Sequence, residues 1–156
     1  MTENAGNNNH PLREMVSYRL ARLQAKLNAQ AIRILKQTSG LSLTEWRVLV
    51  MLETFGQTTS TKIAKEIEFD KGQLSRCLRR LQNAGLVKST ISEEDSRRQL
   101  LEFTVLGRET FEKARPHMRA RQKQLLDCME MEEKHMFFRS LEKLEQVADK
   151  SEPPNE

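Results

Sequence analysis

The sequence predicts a mainly α chain with one small β-hairpin, in the order α-α-α-α-β-β-α-α. Three observations predict it. Apolar residues recur at steps of three and four over most of the chain. The period drops to two around residues 87–91 and 101–103. Glycines at 40, 56 and 85 punctuate the helical stretches.

Over residues 12–38 the apolar positions are Leu12, Met15, Val16, Leu20, Leu23, Leu27, Ala31, Ile34 and Leu35, the stripe of one long amphipathic helix. Gly40 is suited to a left-handed cap at its end. Ser42 and Glu45 have capping-box spacing at the start of a second helix, which carries Trp46, Leu49, Leu52 and Phe55 and stops at Gly56. The run Thr58-Thr59-Ser60-Thr61 offers N-caps for a short third helix with Ile63, Ala64 and Ile67. Phe69 falls in a turn, and Asp70 caps a fourth helix ending at Gly85. In the hairpin, Val87, Ser89 and Ile91 alternate with Lys88 and Thr90, and Leu101 and Phe103 flank Glu102. Thr104 caps a fifth helix with Leu106, Phe111, Ala114, Met118, Leu125 and Leu126, which Pro116 is expected to bend or break. A sixth helix starts near Glu130 with Met136, Phe137, Leu141, Leu144 and Val147 on its apolar side. The polar stretches 1–11 and 149–156 are expected to be disordered tails.

The totals exclude several classes. The 156 residues suffice for a core without metals or disulfides. Two cysteines without CxxC spacing, and histidines scattered at 10, 117 and 135, argue against a disulfide framework or metal site. No nucleophile-base pairing or glycine-rich phosphate loop suggests an enzyme or a cofactor. Neither a signal peptide nor a membrane span is evident, so a cytoplasmic protein is expected. Apolar content of 37% against 31% charged residues fits a helical subunit that completes its core with a partner. The long stripes of the first, fifth and sixth helices point the same way, because each apolar side chain left in water forgoes roughly 1.5–3 kcal/mol.

The fourth helix carries the chemistry. Leu74, Cys77, Leu78 and Leu81 share a face that should enter the core. The opposite face presents Gly72, Arg76, Arg79 and Asn83, flanked by Gln73, Ser75 and Arg80. Residues 71–92 hold five basic side chains and no acidic one. Such a helix suits the major groove of DNA. Gly72 permits close approach, Gln73, Ser75 and Arg76 reach base edges, and Lys71, Arg79 and Arg80 meet phosphates. A short helix, a turn, this helix and a hairpin form the winged helix-turn-helix order. On the hairpin tip, Arg97 and Arg98 can enter a narrow minor groove, with Asp95 placed to hold a guanidinium. A basic face on an isolated helix is usually solvated surface; the neighbouring elements favour double-stranded DNA here.

Residues 42–52 and 59–107 resemble the MarR family of bacterial transcriptional regulators. The resemblance rests on the Trp46-containing helix and on Asp-Lys-x-x-Leu-Ser-Arg at 70–76. It rests also on Leu-x-x-x-Gly-Leu-Val at 81–87 and on the Asp-x-Arg of Asp95 and Arg97, with Phe103-Thr104 standing where the family pattern has Leu-Thr. It extends over about residues 12–148. It implies a homodimer built by residues 12–38 and 105–148, with a DNA-binding domain at 42–104 on a pseudo-palindromic operator. It also implies repression relieved by a small ligand, an anionic aromatic compound fitting best. For that ligand Tyr18, Trp46 and Arg47 are the candidates, with His117 more distant, although core, dimer-contact and surface roles compete for each. Two alternatives stay open. One is redox response through Cys77 or Cys128, for both of which packing is the simpler expectation. The other is a helical protein-interaction module without DNA binding.

Overall fold

A computed structural model describes residues 12, 14–67, 69–91 and 99–150. The elements are α1 (Val16–Thr38), α2 (Leu43–Phe55), α3 (Ser60–Ile67), α4 (Lys71–Asn83), β1 (Val87–Ile91), β2 (Gln99–Phe103), α5 (Val105–Asp127) and α6 (Met131–Ala148). This is the expected order. The expected tails lie outside the described residues except for Asp149 and Lys150, which follow directly on α6. The chain divides into two compact units, Met1–His117 and Met118–Glu156, with the division inside α5.

In the first unit α1 begins at Val16 rather than at residue 12, and its N-cap residue, Met15, makes no side-chain cap hydrogen bond. Only its C-terminal half is buried, at Ala31 and Leu35, whereas Leu12, Met15, Val16, Leu20 and Leu23 are exposed. Both Ser39 and Gly40 donate their amides to the Leu35 carbonyl (3.0 and 2.9 Å). Gly40 takes the left-handed conformation that this double bond requires. At the start of α2, Glu45 N–H donates to Ser42 Oγ (3.2 Å) and Ser42 N–H to Glu45 Oε2 (2.8 Å). Two otherwise orphaned amides are thereby satisfied.

The core of this unit gathers Leu35, Val48, Leu49, Leu52, Ile63, Leu74, Cys77 and Leu81, all 3% exposed or less. Trp46 stacks on Phe111 of α5 with centroids 4.8 Å apart, and Phe103 meets the same ring at 5.5 Å. Glu53 of α2 receives Arg108 and Arg115 of α5, the latter at 2.9 Å.

The hairpin pairs antiparallel with Val87 opposite Phe103 and Ile91 opposite Gln99. Its alternation is honoured only near the base. Val87 and Leu101 are buried, but Ile91 is 68% exposed, because no element among the described residues covers the outer end. Thr58, expected to serve only as a helix cap, instead exchanges both backbone hydrogen bonds with Leu101 (3.2 and 2.7 Å). The cap of α3 is Thr59, whose Oγ1 accepts from Lys62 N–H (3.2 Å).

Pro116 does not break α5, which runs unbroken from Val105 to Asp127. Pro116 is exposed, so water can meet the Glu112 carbonyl that it leaves without an amide. Leu106, expected on the apolar side, is 50% exposed.

In the second unit α6 starts with Glu130 N–H donating to Glu133 Oε2 (2.8 Å). None of its residues is buried: Met136, Phe137, Phe138, Leu144 and Val147 all face solvent. Among the described residues no helix is long and apolar enough to cross a membrane.

Candidate nucleic-acid interface

Helices α3 and α4 and the hairpin form one surface of the first unit. Asp70 caps α4 by accepting Gln73 N–H at Oδ1 (2.8 Å). Leu74, Cys77, Leu78 and Leu81 turn inward and are at most 8% exposed. The 3.6-residue period then forces the remaining residues outward. Lys71, Gly72, Ser75, Arg76, Arg79 and Arg80 are exposed, and Gln73 is half-buried. The helix contains no acidic residue, so its outer face is uniformly cationic and polar. Among the described residues no ion pair engages Lys71, Arg76 or Arg79.

Arg80 differs from its neighbours. Its Nε lies 3.4 Å from Glu45 Oε1. Glu45 therefore serves twice, one oxygen closing the α2 cap and the other holding α4 to α2. The pair joins residues far apart in sequence, and neither helix alone signals it.

A groove of about 620 Å³ lies between α3, α4 and β2, with Ser60, Thr61, Lys71, Ser75, Arg79 and Gln99 among its lining. It gathers hydroxyl, amide and cationic donors on the side where α4 meets the hairpin. Beyond it, Lys62 sits over the Phe55 ring at 3.9 Å, an ammonium held at the surface by an aromatic face. At the base of the hairpin, Glu102 accepts from Lys88 Nζ (3.0 Å) and Gln57 Nε2 (3.0 Å). These bonds, that from Lys88 foremost, hold its carboxyl below the ordinary value of 4.5. Asp95, Arg97 and Arg98, proposed for the minor groove, lie outside the described residues.

The exit of α4 is joined to the start of α5. The Thr104 hydroxyl donates to Gly85 O (2.6 Å) and accepts from Gly107 N–H (2.9 Å), while Thr104 N–H donates to Leu86 O (3.1 Å). A Cβ built on Gly107 would fall 1.8 Å from Leu86 O, so the two backbones touch without a side chain between them. The spacing Thr-x-x-Gly after a strand was the available signal for this joint; only the cap was read from it.

The ligand candidates are spread out. Trp46 is packed on Phe111 in the core. Arg47 Nη2 donates to Asn28 Oδ1 (3.2 Å), tying α2 to α1. Tyr18 is exposed and lines a groove of about 390 Å³ with Arg19, Arg22, Leu23 and Lys26, without Trp46 or Arg47. His117 is exposed on α5. Of the cysteines, Cys77 is fully buried and its pKa is pushed up to about 11, by burial first and the Glu45 charge second. It stays a thiol at neutral pH, which opposes redox attack. Cys128, expected to be packed, is exposed at the end of α5, where its Sγ donates to Leu125 O (3.2 Å).

Comparison with known proteins agrees with this surface. Residues 41–98 match the sequence model of the MarR family. An uncharacterized HTH-type transcriptional regulator of Bacillus cereus strain ATCC 10987 is 25% identical over 143 residues, 91% of this chain and 95% of that protein. The crystal structure of a MarR/EmrR family regulator from Acinetobacter sp. ADP1 superposes with a TM-score of 0.77 at 28% identity, covering 85% of this chain and 94% of that one. That of the Mycobacterium tuberculosis regulator MosR in complex with DNA superposes with a TM-score of 0.71 at 26% identity, covering 87% and 97%.

Proposed function

We propose that this chain, whose residues 41–98 match the sequence model of the MarR family, is a DNA-binding transcriptional regulator of that family that acts as a homodimeric repressor on a pseudo-palindromic operator and is released by a small ligand. One observation carries the DNA reading. The outward face of α4 combines Lys71, Arg76 and Arg79 with Gln73 and Ser75 and holds no carboxylate, while the opposite face anchors the helix in the core. Gln73, Ser75 and Arg76 read base edges from the first turns of the helix, and Lys71 and Arg79 neutralise phosphates. Arg80 meets a phosphate through the guanidinium nitrogens that Glu45 leaves free. Arg97 and Arg98 on the hairpin tip enter the flanking minor groove, with Asp95 orienting them. The DNA-bound state of MosR supports this seating.

Dimerisation is supported by the apolar side chains that α1 and α6 leave in water, Leu20 and Leu23 on one and Phe137 and Leu144 on the other. A twofold dimer places its two reading helices about one turn of DNA apart, roughly 34–36 Å. Sitting there, it occludes a promoter. A small anionic aromatic ligand changes that separation, and the two helices no longer fit successive grooves. Tyr18 with Arg19, Arg22 and Lys26 supplies the ring and cations such a ligand needs. Trp46 and Arg47 support the packing behind α1.

Selecting bound duplexes from a random pool tests the reading. The expected product is a pseudo-palindrome with half-site centres about 10–10.5 base pairs apart. Enrichment of sites without twofold symmetry contradicts the dimer, and no enrichment contradicts sequence-specific DNA binding.

A further inference from the structure

The last carbonyls of α4 are met by the turn that follows it, Leu81 O accepting from Leu86 N–H and Gln82 O from Gly85 N–H (both 2.9 Å), which leaves the carbonyls of Gly85 and Leu86 to find partners elsewhere. At the exit of α4 the chain turns through Gly85, whose φ is +68°. The carbonyls of Gly85 and Leu86 both find their partner in one residue, Thr104, by its hydroxyl (2.6 Å) and its amide (3.1 Å). The same hydroxyl accepts the amide of Gly107 in the first turn of α5 (2.9 Å). Only a hydroxyl can donate one way and accept the other from a single oxygen. Gly107 completes the seat, since any Cβ there would collide with the Leu86 carbonyl. The end of α4 and the start of α5 are thus held backbone to backbone through Thr104.

We infer that Thr104 is a positioning residue for DNA recognition, whose hydroxyl fixes the pitch of α4 against α5. The inference rests on α4 being the reading helix. Base readout needs donors placed to within roughly 0.5 Å and 10–20°. Phosphate attraction tolerates more, because Coulomb forces fall off slowly with distance. Loosening the joint therefore lowers preference for the operator over unrelated duplex while leaving the cationic charge of α4 intact.

The test measures that preference, as the ratio of operator to unrelated-duplex affinity. It is measured in full-length variants at a temperature where circular dichroism shows each to be folded. Thr104→Val keeps the shape and removes the hydroxyl. Thr104→Asp keeps an acceptor for the Gly107 amide, a favoured helix cap, but has no proton for the Gly85 carbonyl. Both should lower the ratio about tenfold, the scale of one lost hydrogen bond. Thr104→Ser should hold the ratio within about twofold, since its hydroxyl makes the same two bonds. The inference is overturned if Val and Asp both keep the wild-type ratio. It is overturned equally if they weaken operator and unrelated duplex in parallel, as general damage would. Arg76→Ala separates the two levels. If Arg76→Ala lowers the ratio and the Thr104 variants do not, the joint alone fails. If Arg76→Ala leaves the ratio unchanged, the assignment of α4 fails and takes the inference with it.

Discussion

Helix α4 buries Leu74, Cys77, Leu78 and Leu81 within its own chain, whereas α6 buries none of its residues. Both are amphipathic, and the long apolar stripes of the first, fifth and sixth helices already pointed to the contrast. The partners of α4 lie in the same compact unit, and they turn its cationic side outward. The apolar side of α6 meets solvent in the single chain, and the proposed dimer rests on that exposure. One helix bears on the proposed DNA contact, and the other on the proposed dimer.

Substitutions can break that contrast. Leu81→Ala removes a side chain that is 1% exposed and should cost roughly 2–5 kcal/mol of stability, read as a lower denaturation midpoint. Phe137→Asp alters a side chain that is 38% exposed, so it should spare the fold of the subunit. It should weaken self-association by about 2 kcal/mol or more, roughly thirtyfold, if Phe137 is a buried anchor of the dimer. Sedimentation across a concentration series checks it, and unchanged association would remove α6 from the interface.

A smaller effect sharpens the account of the first unit. Arg108 and Arg115 hold the Glu53 carboxyl below its ordinary value of 4.5, the hydrogen bond from Arg108 being the largest cause. A depressed folded value means a contribution present above about pH 4.5 and lost as pH falls through the folded value. The groups are partly exposed, so solvent screening limits the contribution to about 1 kcal/mol or less. Glu53→Gln should lower the thermal midpoint slightly at pH 7. The difference from wild type should shrink below pH 4.5, and a difference that persists at pH 3 would point to packing instead.

What was legible in the sequence was local or periodic. The Ser42–Glu45 box, the Asp70 cap and the two faces of α4 follow from spacings of three and four residues, and each is found as expected. What was not legible depends on distant partners. The pairing of Thr58 with Leu101, the hold of Glu45 on Arg80 and the seat of Gly107 on Leu86 each join segments that no short window spans. Ile91 misled because alternation marks a face without saying how far that face is covered. At Pro116 the helix runs on unbroken, because a lost backbone bond at an exposed position is cheaply met by water. The ligand candidates scattered for a related reason: an aromatic on an apolar stripe, such as Trp46, is suited to the core as much as to a pocket.

The salt dependence of operator binding tests most directly whether α4 presents its charge to DNA. Comparing wild type with Arg79→Ala, the slope of log affinity against log salt should become shallower by about 0.9 for each subunit's lost phosphate contact. An unchanged slope would mean that Arg79 meets no phosphate and that another surface holds the duplex.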